Sequence, residues 1–364
     1  MIKEKAIIVA VKNKQNNPYF EESLEELKDL LAFLNVELKF VVTQKTNYVN
    51  PSTLIGKGKI QEIKTLAEHL EANLIVFLNH LTPTQFRNLE KSFGNLKIID
   101  RVALILDIFA QRAKTIEGKL QVELAQLNYL LPRTVGYGRM LSRLGGGIGT
   151  RGPGEKKLTV EKRKILKRIN YIKNKLKEIQ KNRDIQRKSR TYSGYPIVTI
   201  VGYTNAGKST LFNLLTKSDV MISEKPFTTL DPKTGLCYID KELKILVTDT
   251  VGFVRDLPQE LMEAFKATFE ELSYSDLLIL IFDISNPNFE THIQETKKLI
   301  DEVGATSIPS ISVFNKIDKV DKNFLLKVKE RYPNFLFISA KTKENIDILK
   351  RTIKNELKIK YFKC

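Results

Sequence analysis

With 364 residues, 42% of them hydrophobic, the chain is long enough for two or three domains with cores of their own, and wholesale disorder is excluded. Its two cysteines, Cys237 and Cys364, exclude a disulfide framework and fit a reducing cytosol, and no apolar run is longer than that of residues 277–282, far short of the ~18 residues of a membrane span. The net charge of +18 points to a polyanionic partner, and its location matters more than its size.

The N-terminal segment carries lysines and a short apolar run, and polar residues 12–17 follow where a leader's cleavage site would need small ones. Ala6 to Val11 reads as a strand. Phe20, Leu24, Leu27, Leu31 and Leu34 recur at helical spacing. A second strand is expected over residues 36–43, a third over 74–78 and a fourth over 96–99. Residues 54–70 hold Gly56-Lys57-Gly58 and then a helical pattern. That tripeptide lacks the GKS/T ending of a phosphate loop and is read as a turn. Thr82-Pro83-Thr84-Gln85 looks like a helix start, with proline at the first helical position. Strand–helix alternation predicts a small α/β domain with a parallel sheet over residues 1–115.

From Arg101 the pattern becomes helical. Leu120, Leu124, Leu127 and Leu131 mark one stripe, which Pro132 is expected to stop. Residues 132–155 then hold eight glycines in 24 positions, a composition no helix runs through. Beyond it, Ile165, Ile169, Ile172, Leu176 and Ile179 step by four and three, the spacing of a coiled-coil seam. Residues 116–190 are therefore read as an antiparallel two-helix hairpin with a glycine-rich tip. Residues 183–194 are polar and basic, the linker into the last domain.

The charge excess sits in this hairpin. Residues 151–190 hold 16 lysines and arginines against four acids, whereas residues 1–150 carry a net +5 and residues 191–364 a net +1. A solvated helix face is the plain alternative, but charge this concentrated favours a nucleic-acid surface. Arg133, Arg139, Arg143 and Arg151 lie among the glycines, guanidinium donors on a backbone that can approach phosphates closely. An RNA contact is expected through Arg139, Arg143 and Arg151.

Residues 191–364 read as a P-loop domain. A strand over residues 197–201 runs into Gly202-Tyr203-Thr204-Asn205-Ala206-Gly207-Lys208-Ser209, followed by Thr210 and an apolar helix: G-x-x-x-x-G-K-S in strand–loop–helix context. Such a loop turns its N–H groups around a β-phosphate, and the new helix adds its positive dipole. Lys208 would reach the β- and γ-phosphates and Ser209 would place its hydroxyl on Mg²⁺. A strand over residues 245–249 ends in Asp249-Thr250-Val251-Gly252. Asp249 is placed to hold Mg²⁺, directly or through water, and the Gly252 N–H to meet the γ-phosphate. A strand over residues 309–314 ends in Asn315-Lys316-Ile317-Asp318, whose Asp318 carboxylate can accept from two N–H donors on the edge of guanine and not of adenine. Ser339-Ala340-Lys341 follows the last strand, with backbone able to face the guanine carbonyl. Four signals in order, each at a strand's C-terminal end, indicate GTP or GDP as ligand.

The order of these elements resembles the translation-factor class of GTPases, and more closely the HflX family of ribosome-associated GTPases. Residues 54–59, 100–112, 117–132, 141–155, 201–216, 229–232 and 249–258 carry the resemblance, with Gly145 to Glu155 highly specific to that family. It implies GTP-dependent binding to the large ribosomal subunit and its RNA and, in several members, splitting of stalled or idle ribosomes. By the same resemblance Thr229 is the switch threonine that closes on Mg²⁺ and the γ-phosphate, with Thr228 as local competitor. Catalytic roles therefore fall to Lys208, Thr229 and Gly252. Asn205 stands where similar GTPases use asparagine to help hold K⁺; shaping the loop is the alternative. Some members carry a further C-terminal domain that has no counterpart before Cys364.

Many GTPases place a glutamine after the D-x-x-G glycine to orient the attacking water. Here Phe253 stands there and cannot hydrogen-bond, so slow hydrolysis that ribosomes accelerate is expected. Two other readings remain: an ATP- or GTP-dependent RNA-remodelling enzyme, and a GTP-gated RNA-binding module with incidental hydrolysis. The expected protein is a cytoplasmic monomer that associates with ribosomes, and the sequence is also compatible with peripheral membrane association.

Overall fold

A computed structural model describes residues 4–13, 19–134, 153–191, 194–216, 233–241, 243–250, 252 and 271–361. The chain divides into two compact units, Met1–Gln111 with Lys119–Lys177 and Arg112–Gly118 with Glu178–Cys364.

In the first unit β1 (Lys5–Asn13), α1 (Phe20–Phe33), β2 (Glu37–Thr46), α2 (Lys57–His69), β3 (Leu74–Phe77), α3 (Pro83–Phe93), β4 (Lys97–Asp100) and α4 (Arg101–Arg112) alternate as the sequence predicts. The four strands pair in the order β2-β1-β3-β4, all parallel. Ala6 to Val11 and Leu74 to Phe77 are buried on both faces, which is why they read as continuous apolar runs rather than alternating ones. Helix α3 opens on a capping box: Gln85 N donates to Thr82 Oγ1 at 3.2 Å and Thr82 N to Gln85 Oε1 at 3.0 Å, with Pro83 at the first turn. Gly56-Lys57-Gly58 is not a separate turn. Gly56 is the N-cap of α2, and Lys57 and Gly58 lie in its first turn.

Helix α5 (Ile116–Thr134) runs through Pro132 instead of stopping there. Pro132 gives up the bond its own N–H would have made and crowds the carbonyl four residues back, yet the helix continues for two residues beyond it. The extra turn has a consequence for Arg133, which is buried and donates to Tyr129 O and Leu81 O, each at 2.8 Å. Its guanidinium lies 3.4 Å from the centre of the Tyr129 ring and faces Asp100 Oδ2 at 3.5 Å. Arg133 is thus a core residue of this unit, not a surface donor of the glycine-rich segment.

Helix α6 (Pro153–Thr191) absorbs most of the segment read as a linker. Residues 155–191 contain no glycine or proline, and 15 of the 37 are lysine or arginine, good helix formers. Leu124, Ile169 and Ile172 form the buried seam between α5 and α6, flanked by Leu120, Leu127, Leu131, Ile165 and Leu176. Arg168 clasps Glu123 with two bonds of 2.6 and 2.8 Å across the pair.

The second unit contains β5 (Ile197–Gly202), α7 (Lys208–Thr216), β6 (Lys233–Tyr238), β7 (Lys244–Asp249), β8 (Leu277–Asp283), α8 (Phe289–Glu302), β9 (Ser310–Asn315), α9 (Lys322–Arg331), β10 (Leu336–Phe337) and α10 (Ile346–Tyr361). The sheet order is β10-β9-β8-β5-β7-β6, parallel except for β6. The chain leaves β5 toward β7 and returns to β8 on β5's other side. That reversal leaves a crevice at the carboxyl ends of the central strands, where open α/β sheets take their ligands. No described helix is long and apolar enough to cross a membrane.

Candidate nucleotide site

The carboxyl ends of β5, β7, β8 and β9 converge on the loop 203–207. Glycine is required at two places there. Gly207 has φ +99°, and a Cβ on it would collide with the Asn315 side chain. A Cβ on Gly252 would stand 2.8 Å from both Lys208 Nζ and Thr204 Cγ2, so only glycine lets this segment press against the lysine.

Lys208, in the first turn of α7, is buried and donates from Nζ to Tyr203 O at 2.6 Å. Ala206 N donates to the same carbonyl at 3.2 Å, which closes the loop on itself. Ser209 Oγ donates to Asp249 Oδ2 at 2.8 Å, and Asp249 is fully buried. A hydroxyl and a carboxylate side by side form the hard-oxygen donor set that suits Mg²⁺. Thr250 Oγ1 ties the end of β7 to Ile200 O at 2.8 Å. Asn205 adopts the left-handed conformation, φ 62°, and is exposed. Asparagine is among the few non-glycine residues that tolerate this geometry.

Asn315 joins the loop 203–207 to the segment that follows β10. Its Nδ2 donates to Ala206 O and its Oδ1 accepts from Ala340 N, both at 2.9 Å. Asp318 is exposed, and its Oδ1 accepts from Ser339 Oγ at 2.6 Å, while Ser339 Oγ accepts from Thr342 N at 3.0 Å. Lys316, also left-handed at φ 67°, pairs with Asp283 Oδ2 at 2.6 Å. Lys341 is exposed beside them. Thus Gly202 to Thr210, Asp249, Thr250, Gly252, Asn315, Lys316, Asp318 and Ser339 to Lys341 gather at one end of one sheet. Val251, Phe253, Thr228 and Thr229 lie outside the described residues, as do Arg139, Arg143 and Arg151.

Residues 197–316 match the family described as 50S ribosome-binding GTPase, residues 21–110 that of the GTP-binding GTPase N-terminal region, and residues 112–190 that of the GTP-binding GTPase middle region. The GTPase HflX of Caldanaerobacter subterraneus subsp. tengcongensis is 48% identical over 356 residues, 98% of this chain and 81% of that protein. The chain belongs to the HflX family of GTPases. The HflX of Escherichia coli K12 is 38% identical over 357 residues, covering 97% of this chain and 83% of its own. A GTP-binding protein of the archaeon Sulfolobus solfataricus, solved with GDP, is 26% identical with a TM-score of 0.50, over 97% of this chain and 98% of that one. Like other HflX proteins, then, this one binds guanine nucleotide and hydrolyses GTP.

Two residues of this HflX site escape a motif reading. Asp283 escapes because the apolar run ends at Phe282, although an acid closing a buried strand was a visible signal. His292 stacks on Tyr203 from α8, and nothing local in the sequence announces that contact.

Burial holds the Lys208 ammonium down at about 8, against its ordinary 10.5, with the Asp249 carboxylate opposing the shift. Between these values the unfolded chain keeps a proton that the folded one has released. The nucleotide-free protein should therefore gain stability as pH rises through this window, by about 3 kcal/mol in all. A bound phosphate would restore the proton, so binding takes one up above pH 8. GDP affinity is expected to fall about tenfold between pH 7 and pH 9. Calorimetric titrations in buffers of different ionisation enthalpy check the proton uptake, and Lys208→Met should flatten the dependence.

Proposed function

We propose that this HflX-family GTPase is a GTP-operated switch on the large ribosomal subunit that parts or rescues stalled or idle ribosomes. The observation that carries this reading is the basic α6, which is paired through one apolar seam with α5 and whose described residues include exposed Lys162, Arg163, Lys164, Lys167, Lys173 and Lys177, a surface suited to RNA. The family description over residues 197–316 points the same way. In the nucleotide site, Lys208 and the loop 202–207 would take the phosphates, Ser209 would hold Mg²⁺ together with Asp249, directly or through water, and Asn315, Lys316, Asp318 and Ser339 to Lys341 would take the base. Mg²⁺ would supply neutralisation of the phosphate charge there. Thr229 and Gly252 are the groups that respond to the γ-phosphate. Phe253 offers no hydrogen bond to water, so hydrolysis is slow until the ribosome completes the site.

GTP turnover measured with and without purified large subunits tests this. At least a tenfold acceleration is expected, and equal rates would sink the reading. Substituting Arg139, Arg143 and Arg151 together with alanine should weaken subunit binding and flatten its salt dependence. An ATP-driven RNA-remodelling enzyme is disfavoured by Asp318, whose carboxylate suits two base N–H donors and meets adenine's geometry poorly. Competition between GTP and ATP separates the two. A GTP-gated RNA-binding module with incidental hydrolysis would release RNA at the same rate from GTP and from a non-hydrolysable analogue.

A further inference from the structure

We propose that His292 is a positioning residue for the phosphate loop, setting nucleotide affinity through the ring of Tyr203. The imidazole of His292 and the phenol ring of Tyr203 stack with centroids 3.8 Å apart and planes 11° from parallel. Both side chains are buried, Tyr203 at 8% and His292 at 7% exposure, so the stack is a fixed contact and not a surface encounter. Tyr203 is no ordinary loop residue. Its carbonyl receives both Lys208 Nζ and Ala206 N, the two bonds that give the loop its closed shape. A ring clamped on one side therefore fixes the carbonyl that parks the lysine charge.

The clamp is itself anchored. His292 lies one turn into α8, and Phe289 at the start of that helix meets Phe314 edge-on with ring centres 5.3 Å apart. Phe314 immediately precedes Asn315, which binds Ala206 O. Helix α8 thus braces the loop from two directions: directly through His292, and through the strand that carries Asn315. Withdrawing the imidazole leaves a void beneath Tyr203, and the loop backbone gains freedom that nucleotide binding must then remove. Aromatic pairs of this kind are worth about a two- to twelvefold change in an equilibrium beyond their buried area.

The test compares GDP affinity and Tm across three variants of the full chain. His292→Ala is expected to raise the Kd for GDP about fivefold and leave the ratio of GDP to ADP affinity unchanged, because the base-binding residues are untouched. His292→Phe, which keeps a flat ring, should return the Kd to within about twofold of the parent. Ile293→Ala is the control for lost packing. That side chain is buried on the same helix, 5% exposed, so its truncation should lower Tm without moving the Kd. An unchanged Kd in His292→Ala, an equal rise in Ile293→Ala, or no recovery in His292→Phe would each overturn the assignment.

Discussion

Asp318→Asn is expected to lower the affinity for GTP and GDP about a hundredfold and to turn the base preference toward xanthosine nucleotides. The carboxylate is exposed, so no core is disturbed, and Ser339 Oγ already holds Oδ1 at 2.6 Å before a base arrives. That leaves Oδ2 directed by a fixed partner, with little ordering left for binding to supply. Hydrogen bonds to a charged group contribute about 1.5–3 kcal/mol each. In the asparagine variant Oδ1 can stay on Ser339, while an N–H donor replaces the acceptor that faced guanine's exocyclic amine. Donor then opposes donor. Xanthine carries a carbonyl at that position and restores the pairing. Competition of GDP and XDP for a fluorescent nucleotide reads the result, and a variant that keeps parental GTP affinity would refute the role given to Asp318.

Asp100→Ala should destabilise the first unit by about 3–5 kcal/mol, the range for breaking a buried charged pair from one side. Asp100 is fully buried at the end of β4 and accepts from Tyr129 Oη at 2.9 Å, Ala103 N at 3.0 Å and Leu81 N at 3.1 Å. Arg133 faces it at 3.5 Å and half-exposed His80 at 3.7 Å. Removing the carboxylate strands a buried guanidinium and three donors at once. Tyr129→Phe deletes one of these bonds and should cost only about 1 kcal/mol. Urea unfolding with separate probes in the two units checks both, since a two-unit chain need not unfold in one step. GDP affinity should survive, because none of the site residues changes. A loss below 1 kcal/mol for Asp100→Ala would show that the network carries little of the unit's stability.

Much of this was legible in advance. The parallel four-stranded sheet followed from apolar runs too continuous for a half-exposed sheet, and α3 from Thr82, Pro83 and Gln85. The phosphate loop was legible because its chemistry demands fixed spacing over eight adjacent residues. Where the sequence reading failed, a local rule met a partner far along the chain. Pro132 looked like a stop, yet α5 continues one more turn and hands Arg133 to Leu81 and Asp100. The glycines and arginines of residues 132–155 suggested a common exposed role, but Arg133 faces a buried aspartate. Strand β6 was missed because its partly buried residues show neither a continuous apolar run nor a clear alternation.

The amino-acid sequence by itself located the phosphate loop from Gly202 to Ser209 and the residues expected around it, Asp249, Gly252 and Asp318, since each depends on residue type at a fixed short spacing. It also located the positive charge on the hairpin, which is a matter of counting. Only the tertiary structure decided what holds that site in shape. Asn315 reaches Ala206 across 109 residues, Lys316 meets Asp283 across two neighbouring strands, and Tyr203 rests on His292 from another helix. These contacts are set by the order in which strands pair, and no periodicity along the chain encodes which strand lies beside which.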